Sequence, residues 1–554
     1  MRCPGSSLPA VFAGLVLAAC SEGTGPGNGT TVDCTAASSQ TLAIGELRVL
    51  DPSQGGACVR LPAAGGTGAE HLYLPVATEG SVTDDGASAP YVITGSSVAT
   101  AAAAALRSLL LPAFRAPLRA GAFHGMLRAR ERALSRNPEV AFSQGRVLPS
   151  IVPPVVGHQD TFKVCSTTSC DAFVDAAATA RAVGEKVAVY VDDAAPPGGY
   201  TDTDLAAVAA LFDNRLYPID TVAFGRESDI DGNGVVIVLL TQRVNALSPN
   251  CNVTQSVILG YFFGADLLAP SSDNPGSNEA EIFYGLVPDP TNPACSISET
   301  FALSHLPATF IHEFQHMISF NQHRLVRGGS AEDTWLNEGL SHFAEELAAR
   351  QIPDAECPTG DCANDFLSEG NLPNAFAYLE SPEGFFLVIP GDSTGSLQER
   401  GANWLFVRWL ADHFAGDSVL GTELTRQLVA TNLVGSANVV ARTGVSFSTL
   451  VPEWQLTNYL DDLPGFNQPS TRLRYKTWNF RDVAVANSLP YPLVPDSTSG
   501  SGYSHTGVLR AGSGKHVRLV QPASFGTVDL QLSGGPGDPF PSEVEPRIAL
   551  VRIR

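Results

Sequence analysis

The segment 312–318 carries the residue types and the spacing needed to bind a metal ion and to activate water. It reads His-Glu-Phe-Gln-His-Met-Ile. On an α-helix, side chains four positions apart lie on one face, so His312 and His316 can direct ring nitrogens at one cation. Glu313 then projects beside that cation, where its carboxylate can accept a proton from water. Pro307 fits a helix that begins just before the motif. The alternative is a buried amphipathic helix with two incidental histidines.

A third ligand stands at a suitable distance along the chain. A catalytic zinc takes three protein ligands and keeps a fourth position for water. The segment 335–346 is predicted to be a second helix, and its Glu338 follows His316 by 22 residues. That length allows a helix end, a loop and an antiparallel return.

A third histidine ligand is disfavoured by spacing. The pattern HExxHxxGxxH would need glycine at Ser319 and histidine at Gln322, and His323 misses that position by one residue. One residue turns a side chain by about 100° around a helix. We therefore expect Glu338, rather than His323, to complete the metal site.

The two segments together resemble the gluzincin metallopeptidases, and more closely the hyicolysin-like secreted peptidases. The resemblance rests on the residues quoted at 312–318 and on Trp-Leu-Asn-Glu-Gly-Leu-Ser at 335–341, and it extends over 304–346, more loosely over 155–465. It implies a zinc peptidase with His312, His316 and Glu338 as ligands and Glu313 as general base. It also implies that an upstream edge strand, here around 281–287, pairs with the substrate backbone.

The sequence departs from the family pattern four residues after the third ligand. In the family an Asp at that position orients a zinc-binding histidine, whereas His342 stands there in this chain. Asn337, Asp333 and Glu345 are the neighbours that can serve as the orienting group instead.

The residue that stabilises the oxyanion is also open. Family members take it from the downstream helical region, where His342, Tyr378 and His413 are the alternatives, each of which can equally be structural. The Gly-x-Met-Glu-Asn clamp of the aminopeptidase relatives does not occur in the sequence, which favours an endopeptidase acting on proteins or peptides.

The N-terminus predicts export and a lipid anchor. The apolar stretch 8–19 is shorter than the about 20 residues that span a bilayer, and it is typical of a signal peptide. Leu17-Ala-Ala-Cys20 resembles a bacterial lipobox, which predicts a signal peptide at 1–19, lipidation of Cys20 and a flexible tether at 20–33. A plain secretory signal is the alternative. We expect a cell-envelope lipoprotein, periplasmic or at the surface, or a released form.

Charge and cysteine content agree with export. The formal net charge of −22 argues against a nucleic-acid partner, because phosphate binding needs a basic surface. Apart from Cys3 and Cys20 the chain has eight cysteines, for which oxidation is the default in an exported protein. Proximity predicts four pairs: Cys34–Cys58, Cys165–Cys170, Cys251–Cys295 and Cys357–Cys362. A zinc knuckle built from the two Cys-x4-Cys segments is the rival interpretation.

The chain as a whole is predicted to be α+β. A metallopeptidase domain is expected at 155–466, with a mixed sheet, an active-site helix and a helical C-terminal subdomain. Small all-β modules are expected on either side, at 34–98 and 467–554. Apolar runs predict strands at 186–191, 235–240 and 281–287, and helices at 203–216, 403–414, 422–433 and 450–460.

The segment 99–154 differs from the rest in charge. Between Arg107 and Arg146 it holds eight arginines and two glutamates. One interpretation is a basic helical linker lying on an acidic domain. The other is a propeptide-like segment that is trimmed near 128–132.

The segment 229–233 is a candidate for a second metal site. Asp229, Asp231 and Asn233 offer oxygens at alternating positions, like the start of a calcium loop. Leu240 stands where an EF-hand has its bidentate glutamate, so an Asx-rich turn that enters a strand is the alternative.

Two other functions remain open at the level of sequence. One is a catalytically inactive surface-binding lipoprotein, and the other is a zinc hydrolase that acts on a non-peptide bond.

Overall fold

The computed structural model describes residues 34–554 apart from 55–56, 82–86, 96–117, 138–152, 255, 369, 392–394, 468–469 and 536–537. The predicted signal peptide (1–19), its lipidation site Cys20 and the tether lie outside the described residues, as does much of 99–154. Among the helices that are described, none has the length and apolar character needed to cross a membrane.

The described strands, in chain order, are β1 (Leu47–Leu50), β2 (Cys58–Leu61), β3 (Ala69–Ala77), β4 (Ser88–Gly95), β5 (Gln159–Cys165), β6 (Phe173–Val183), β7 (Val187–Asp192), β8 (Val236–Leu240), β9 (Gly260–Phe262), β10 (Ile282–Gly285), β11 (Asp496–Thr498), β12 (Ser504–Arg510), β13 (Val517–Gln521), β14 (Val528–Ser533) and β15 (Pro546–Arg552). The described helices are α1 (Leu118–Arg136), α2 (Asp202–Leu211), α3 (Tyr217–Ala223), α4 (Gln242–Ala246), α5 (Cys251–Thr254), α6 (Glu299–Phe320), α7 (Thr334–Gln351), α8 (Cys362–Leu367), α9 (Asn371–Leu379), α10 (Leu397–Phe414), α11 (Thr422–Val429), α12 (Gly435–Thr443), α13 (Phe447–Leu460) and α14 (Phe480–Ala486).

A six-stranded mixed sheet lies beneath the candidate site, in the order β5-β6-β7-β8-β10-β9. Strands β7, β8 and β10 run parallel, and the remaining pairs are antiparallel. The sequence Val-Ile-Val-Leu-Leu of β8 is buried throughout, as expected of a central strand that is covered on both faces. Because β10 pairs with β8 on one side and β9 on the other, the prediction that 281–287 forms the edge was wrong. The edge is β9.

Helices α6 and α7 carry the two motifs and pack against each other, and α6 also packs against β9 and β10 of the sheet. Helix α6 begins earlier than predicted, because the Ser298 hydroxyl accepts a hydrogen bond from the Phe301 amide and caps the helix there. Pro307 therefore lies inside the helix. A π-helical turn, Asn321–Leu325, follows α6 directly and leads toward α7.

The C-terminal helices pack around α7 and bury four tryptophans: Trp335, Trp404, Trp409 and Trp454. Helix α10 packs on both α7 and α9, which places its polar residues beside the second ligand helix. This architecture of sheets and helices is compatible with the predicted α+β class.

The strands at the two ends of the chain form one β-sandwich. One sheet has the order β1-β15-β3-β13-β11, and the other has the order β12-β4-β14-β2. The two β regions that the sequence placed in separate modules therefore pair with each other. The reason is physical: β3 and β4 each have a C-terminal strand on both sides, and a short isolated sheet would leave those edges open.

All four predicted disulfides are present in the structure. They join Cys34 to Cys58, Cys165 to Cys170, Cys251 to Cys295 and Cys357 to Cys362. Because the two Cys-x4-Cys segments each close on themselves, a zinc knuckle shared between them does not form.

Candidate metal centre

Three side chains from α6 and α7 converge beneath a cavity. The Nε2 atom of His312 lies 3.5 Å from Oε2 of Glu338, and Nε2 of His316 lies 3.7 Å from Oε1 of the same carboxylate. Atoms that bind one zinc ion at about 2.0–2.2 Å lie between 3 and 4 Å apart, roughly the spacing found here. The arrangement matches a shared ion.

The Glu338 carboxylate is suited to a cation. Its residue is 1% exposed, and neither carboxylate oxygen has a hydrogen-bond partner among the described residues. Arg400 approaches Oε2 at 3.6 Å. Burial opposes ionisation, yet Arg400 and the two histidines hold the pKa of Glu338 well below its usual range. A buried anion without hydrogen bonds is costly, and a bound divalent ion would offset that cost.

The ring of His312 is oriented from behind by Glu345. Its Nδ1 atom lies 2.6 Å from Oε1 of Glu345, a hydrogen-bond distance, which leaves Nε2 for the metal face. Burial lowers the pKa of His312, but Glu338 and Glu345 outweigh burial and raise it to about 10. This pocket of carboxylates favours a positive charge.

The ring of His316 has a neutral partner. Its Nδ1 atom lies 3.0 Å from the Ser341 hydroxyl, and burial holds the pKa of His316 well below its ordinary value. An uncharged imidazole is the form that binds a metal.

Glu313 lies beside the ligands and lines the same cavity. Its Oε2 accepts a hydrogen bond of 2.8 Å from the Phe262 amide at the end of β9, and Oε1 is 3.3 Å from Nδ1 of His124. Burial opposes ionisation of the carboxyl, but His124, His312 and His316 prevail and lower its pKa to about 2. Glu313 is therefore an ionised carboxylate that is fixed by the edge strand.

The cavity above these residues has a volume of about 540 Å³. Its wall combines polar groups with an apolar portion formed by Leu259, Ile297, Phe301 and Phe366. That size and lining suit a short length of extended peptide.

His342 is a histidine of α7 that faces the cavity. It lines the cavity, its Nδ1 is 2.7 Å from Oδ1 of Asn371, and its buried Nε2 has no hydrogen-bond partner among the described residues. His342, Glu345 and His312 also form a second group of three possible ligands. In that group the 2.6 Å contact between His312 and Glu345 is a hydrogen bond, shorter than the spacing of two ligands around a metal.

The other predicted site residues lie elsewhere. Tyr378 is fully buried, stacks on Trp454 and accepts a hydrogen bond from Gln455. His413 contacts the carbonyl of Arg474 at the end of α10. Neither is among the residues that line the cavity.

Asn337 is buried on α7 beside Glu338. Its side-chain oxygen has no hydrogen-bond partner among the described residues. It does not contact either histidine ligand in the way that Glu345 contacts His312. Asp333 precedes α7 as its N-cap residue.

Two residues of the site were not predicted from the sequence. Arg400 of α10 and His124 of α1 both line the cavity. No local pattern marks either of them, because each reaches the site through the packing of a distant helix. Glu345 was one of several alternatives, and its signal is the spacing Glu338, His342, Glu345, which places all three on one face of α7.

The predicted calcium loop forms a second acidic cluster. Asp229, Asp231 and Glu281 each bring one ligand atom within 4.8 Å of the others. The Asn233 side chain instead donates to Asp231 and accepts from the Val235 amide, as in an Asx-rich turn. Calcium at this place stays a prediction.

Comparison with known proteins gives a partial match. A stretch of 150 residues is 31% identical to the neutral metalloprotease ShpI of Staphylococcus hyicus. The match covers 26% of this chain and 31% of the length of that protein. No family model matches the chain. The likeness supports a relationship to metallopeptidases, and the cluster of His312, His316 and Glu338 supports a metal.

Proposed function

We propose that this protein is a zinc-dependent peptidase of the gluzincin type. His312, His316 and Glu338 would hold the ion, and Glu313 would act as general base. The observation that carries the proposal is the convergence of two buried imidazoles on a buried carboxylate without hydrogen bonds, with an ionised glutamate beside them. The partial likeness to a neutral metalloprotease favours peptide bonds as the substrate.

Bound zinc would supply a Lewis acid that polarises the scissile carbonyl and lowers the pKa of water. The chain's own residues account for the proton transfers. Glu313 accepts a proton from the attacking water and delivers it to the nitrogen of the leaving amine. The Phe262 amide holds one oxygen of Glu313, so the proton goes to the other oxygen, which lies 3.3 Å from Nδ1 of His124. Glu345 keeps the His312 ring in the required orientation.

Stabilisation of the oxyanion is assigned to groups that face the cavity. Nε2 of His342, which has no hydrogen-bond partner among the described residues, is the first choice, and the cationic guanidinium of Arg400 is another donor that lines the cavity. Both lie on helices, which suits preorganised donors.

We propose an endopeptidase that acts on proteins or peptides, with the catalytic unit at 155–466. Cell-envelope location through a lipid on Cys20 belongs to the same proposal. It rests on the sequence of the first twenty residues alone.

The test is Glu313→Gln, which keeps the shape of the side chain and removes the base. We expect zinc content to stay at the wild-type level while casein hydrolysis falls by about 10²–10⁴-fold, the usual contribution of a general base. Glu299→Gln on the same helix, outside the cavity, is the matched control. A chelator should abolish wild-type activity.

Three outcomes would refute the proposal in different ways. Full turnover by Glu313→Gln would remove the assignment of the base. Zinc without hydrolysis of any peptide would favour a hydrolase of another bond. No zinc in the wild-type protein would favour an inactive binding protein.

A further inference from the structure

Helix α1 packs against the candidate site, where its His124 lines the cavity, although the sequence places it outside the peptidase domain. Its buried face carries the apolar residues Phe123, Leu127 and Leu134, which belong to the hydrophobic core. The Phe123 ring packs edge-on against Tyr261 of β9 at 5.2 Å. The same face carries five polar residues that are each less than 10% exposed: His124, Arg128, Glu131, Arg132 and Ser135. Helix α1 is therefore anchored in the core and directs hydrogen bonds and charges at the candidate site.

The first set of contacts is made with β9, the edge strand of the six-stranded sheet. Arg128 donates a hydrogen bond of 2.5 Å to the carbonyl of Phe262, and Glu131 accepts one of 2.6 Å from the amide of Gly264. Within Phe262–Gly264, the Phe262 amide is held by Glu313. An edge strand whose outward groups are taken cannot pair with another strand along those residues.

The second set reaches the groups that carry the chemistry. His124 lies 3.3 Å from the carboxylate of Glu313. Arg400, which faces Glu338 with its Nε atom, donates through Nη2 to the carbonyl of Gly121 at 3.3 Å. One helix therefore contacts the general base, a cavity-lining cation and the edge strand together.

An extended peptide can replace the contacts that α1 makes with the edge strand. Arg128 and Glu131 form an ion pair of 3.0 Å. The Arg128 guanidinium also donates to the Phe262 carbonyl, and the Glu131 carboxylate accepts from the Gly264 amide. An extended peptide offers an amide and a carbonyl to the same two positions, without the cost of burying two charges. The helix and an extended substrate compete for one set of partners.

We propose that α1 is an intramolecular inhibitory segment, which covers the Phe262–Gly264 half of the cleft and must move away before an extended substrate binds. This inference rests on the proposed peptidase function. It also adds a condition to the alternative that this segment is propeptide-like and is trimmed near 128–132. Arg128 and Arg132 are buried within a helix, so displacement of α1 has to precede any cut there.

The first experiment uses the zinc-loaded wild-type protein, an acetylated tripeptide hydroxamate as the active-site probe, and trypsin. The hydroxamate binds only when α1 has moved, so it should expose Arg128, Arg130 and Arg132. At ten times its Kd for the open form, a ligand selective for that form raises the ratio of open to closed protein about tenfold. We expect mass spectrometry to record cleavage in α1 about tenfold faster, while cleavage after the exposed Arg327 keeps its rate.

The second experiment removes the contacts with the edge strand. Arg128→Leu combined with Glu131→Leu takes away both charges together, which avoids leaving one of them unpaired. We expect tighter hydroxamate binding and a higher kcat/KM on a quenched fluorescent peptide. Arg136→Leu, at an exposed position of the same helix, is the matched control and should leave both values unchanged.

The outcomes distinguish a failure of the inhibitory role of α1 from a failure of the proposed peptidase function. If the hydroxamate binds the wild-type protein and α1 is cleaved no faster, or is protected, α1 is a permanent wall of the cleft and the inference is wrong. If the hydroxamate binds neither the wild type nor the double variant, the proposed function fails, and α1 then covers no ligand site.

Discussion

The candidate zinc site and the Asp229–Asp231–Glu281 cluster differ in what their ligand atoms already bind. Both bring three ligand atoms within 4.8 Å of one another. At the zinc site, both oxygens of Glu338 lack hydrogen-bond partners among the described residues. In the acidic cluster, both oxygens of Glu281 accept from the Ile230 amide, and those of Asp231 accept from Asn233.

The comparison teaches that proximity alone does not define a metal site. Carboxylates that hold a tight turn together also come close to one another, because they accept hydrogen bonds from neighbouring backbone amides. Buried ligand atoms with no other partner, beside imidazole nitrogens and an open cavity, are what a metal site requires. Substitutions in the two clusters test this difference.

The largest effect is expected from Glu338→Ala. Loss of one of three ligands should reduce zinc affinity by more than the about 10–100-fold typical for the group behind a ligand. Zinc content after dialysis measures it. Glu281→Ala, in the other cluster, is the control and should keep its zinc. Loss of zinc in both variants would break the contrast between the clusters.

A smaller effect is expected from Glu345→Gln. The amide can still contact His312 but no longer supplies a negative charge, so zinc affinity should fall by about 10–100-fold. Competition with a chromogenic chelator would measure the change. Unaltered affinity would mean that Glu345 does not orient the ligand.

The smallest effect concerns pH and the acidic cluster. Burial raises the pKa of Glu281 from 4.5 to about 7. The unfolded chain therefore releases this proton at a lower pH than the folded protein. The Glu281 contribution to stability is complete below pH 4.5 and is lost as the pH rises to about 7. Glu281→Gln removes the titrating group and should flatten that part of the pH dependence of Tm.

Calcium sharpens the same measurement. If the cluster is only a turn, added Ca²⁺ leaves the Tm of the wild-type protein unchanged. A calcium-dependent rise in Tm that disappears in Glu281→Gln would make it a second metal site.

Much of the candidate site could be predicted from the sequence, because its ligands are defined by spacing within helices. His312 and His316 are separated by one turn, and Glu338 follows on the next helix. The position of Arg128 against Phe262 could not be predicted, since the contact joins residues 134 apart and depends on how α1 docks.

The fold was predictable to a similar extent. The buried runs at 187–192 and 236–240 form strands as expected, because apolar β-branched residues identify central strands locally. The pairing of the two β regions could not be predicted, because an alternating pattern identifies a strand but not the strand that it pairs with. Arg60 and Asp529, for example, pair across 469 residues of sequence.

The sandwich has a mechanical consequence for the integrity of the molecule. Strands β3 and β4 each lie between two strands from the C-terminal end of the chain. If the backbone is cut between β4 and β5, the two fragments therefore stay associated. Such a nicked protein would run as one particle in gel filtration and as two bands after denaturation. Loss of the last sixty or so residues would instead strip both neighbours from β3 and leave its edges open to self-association.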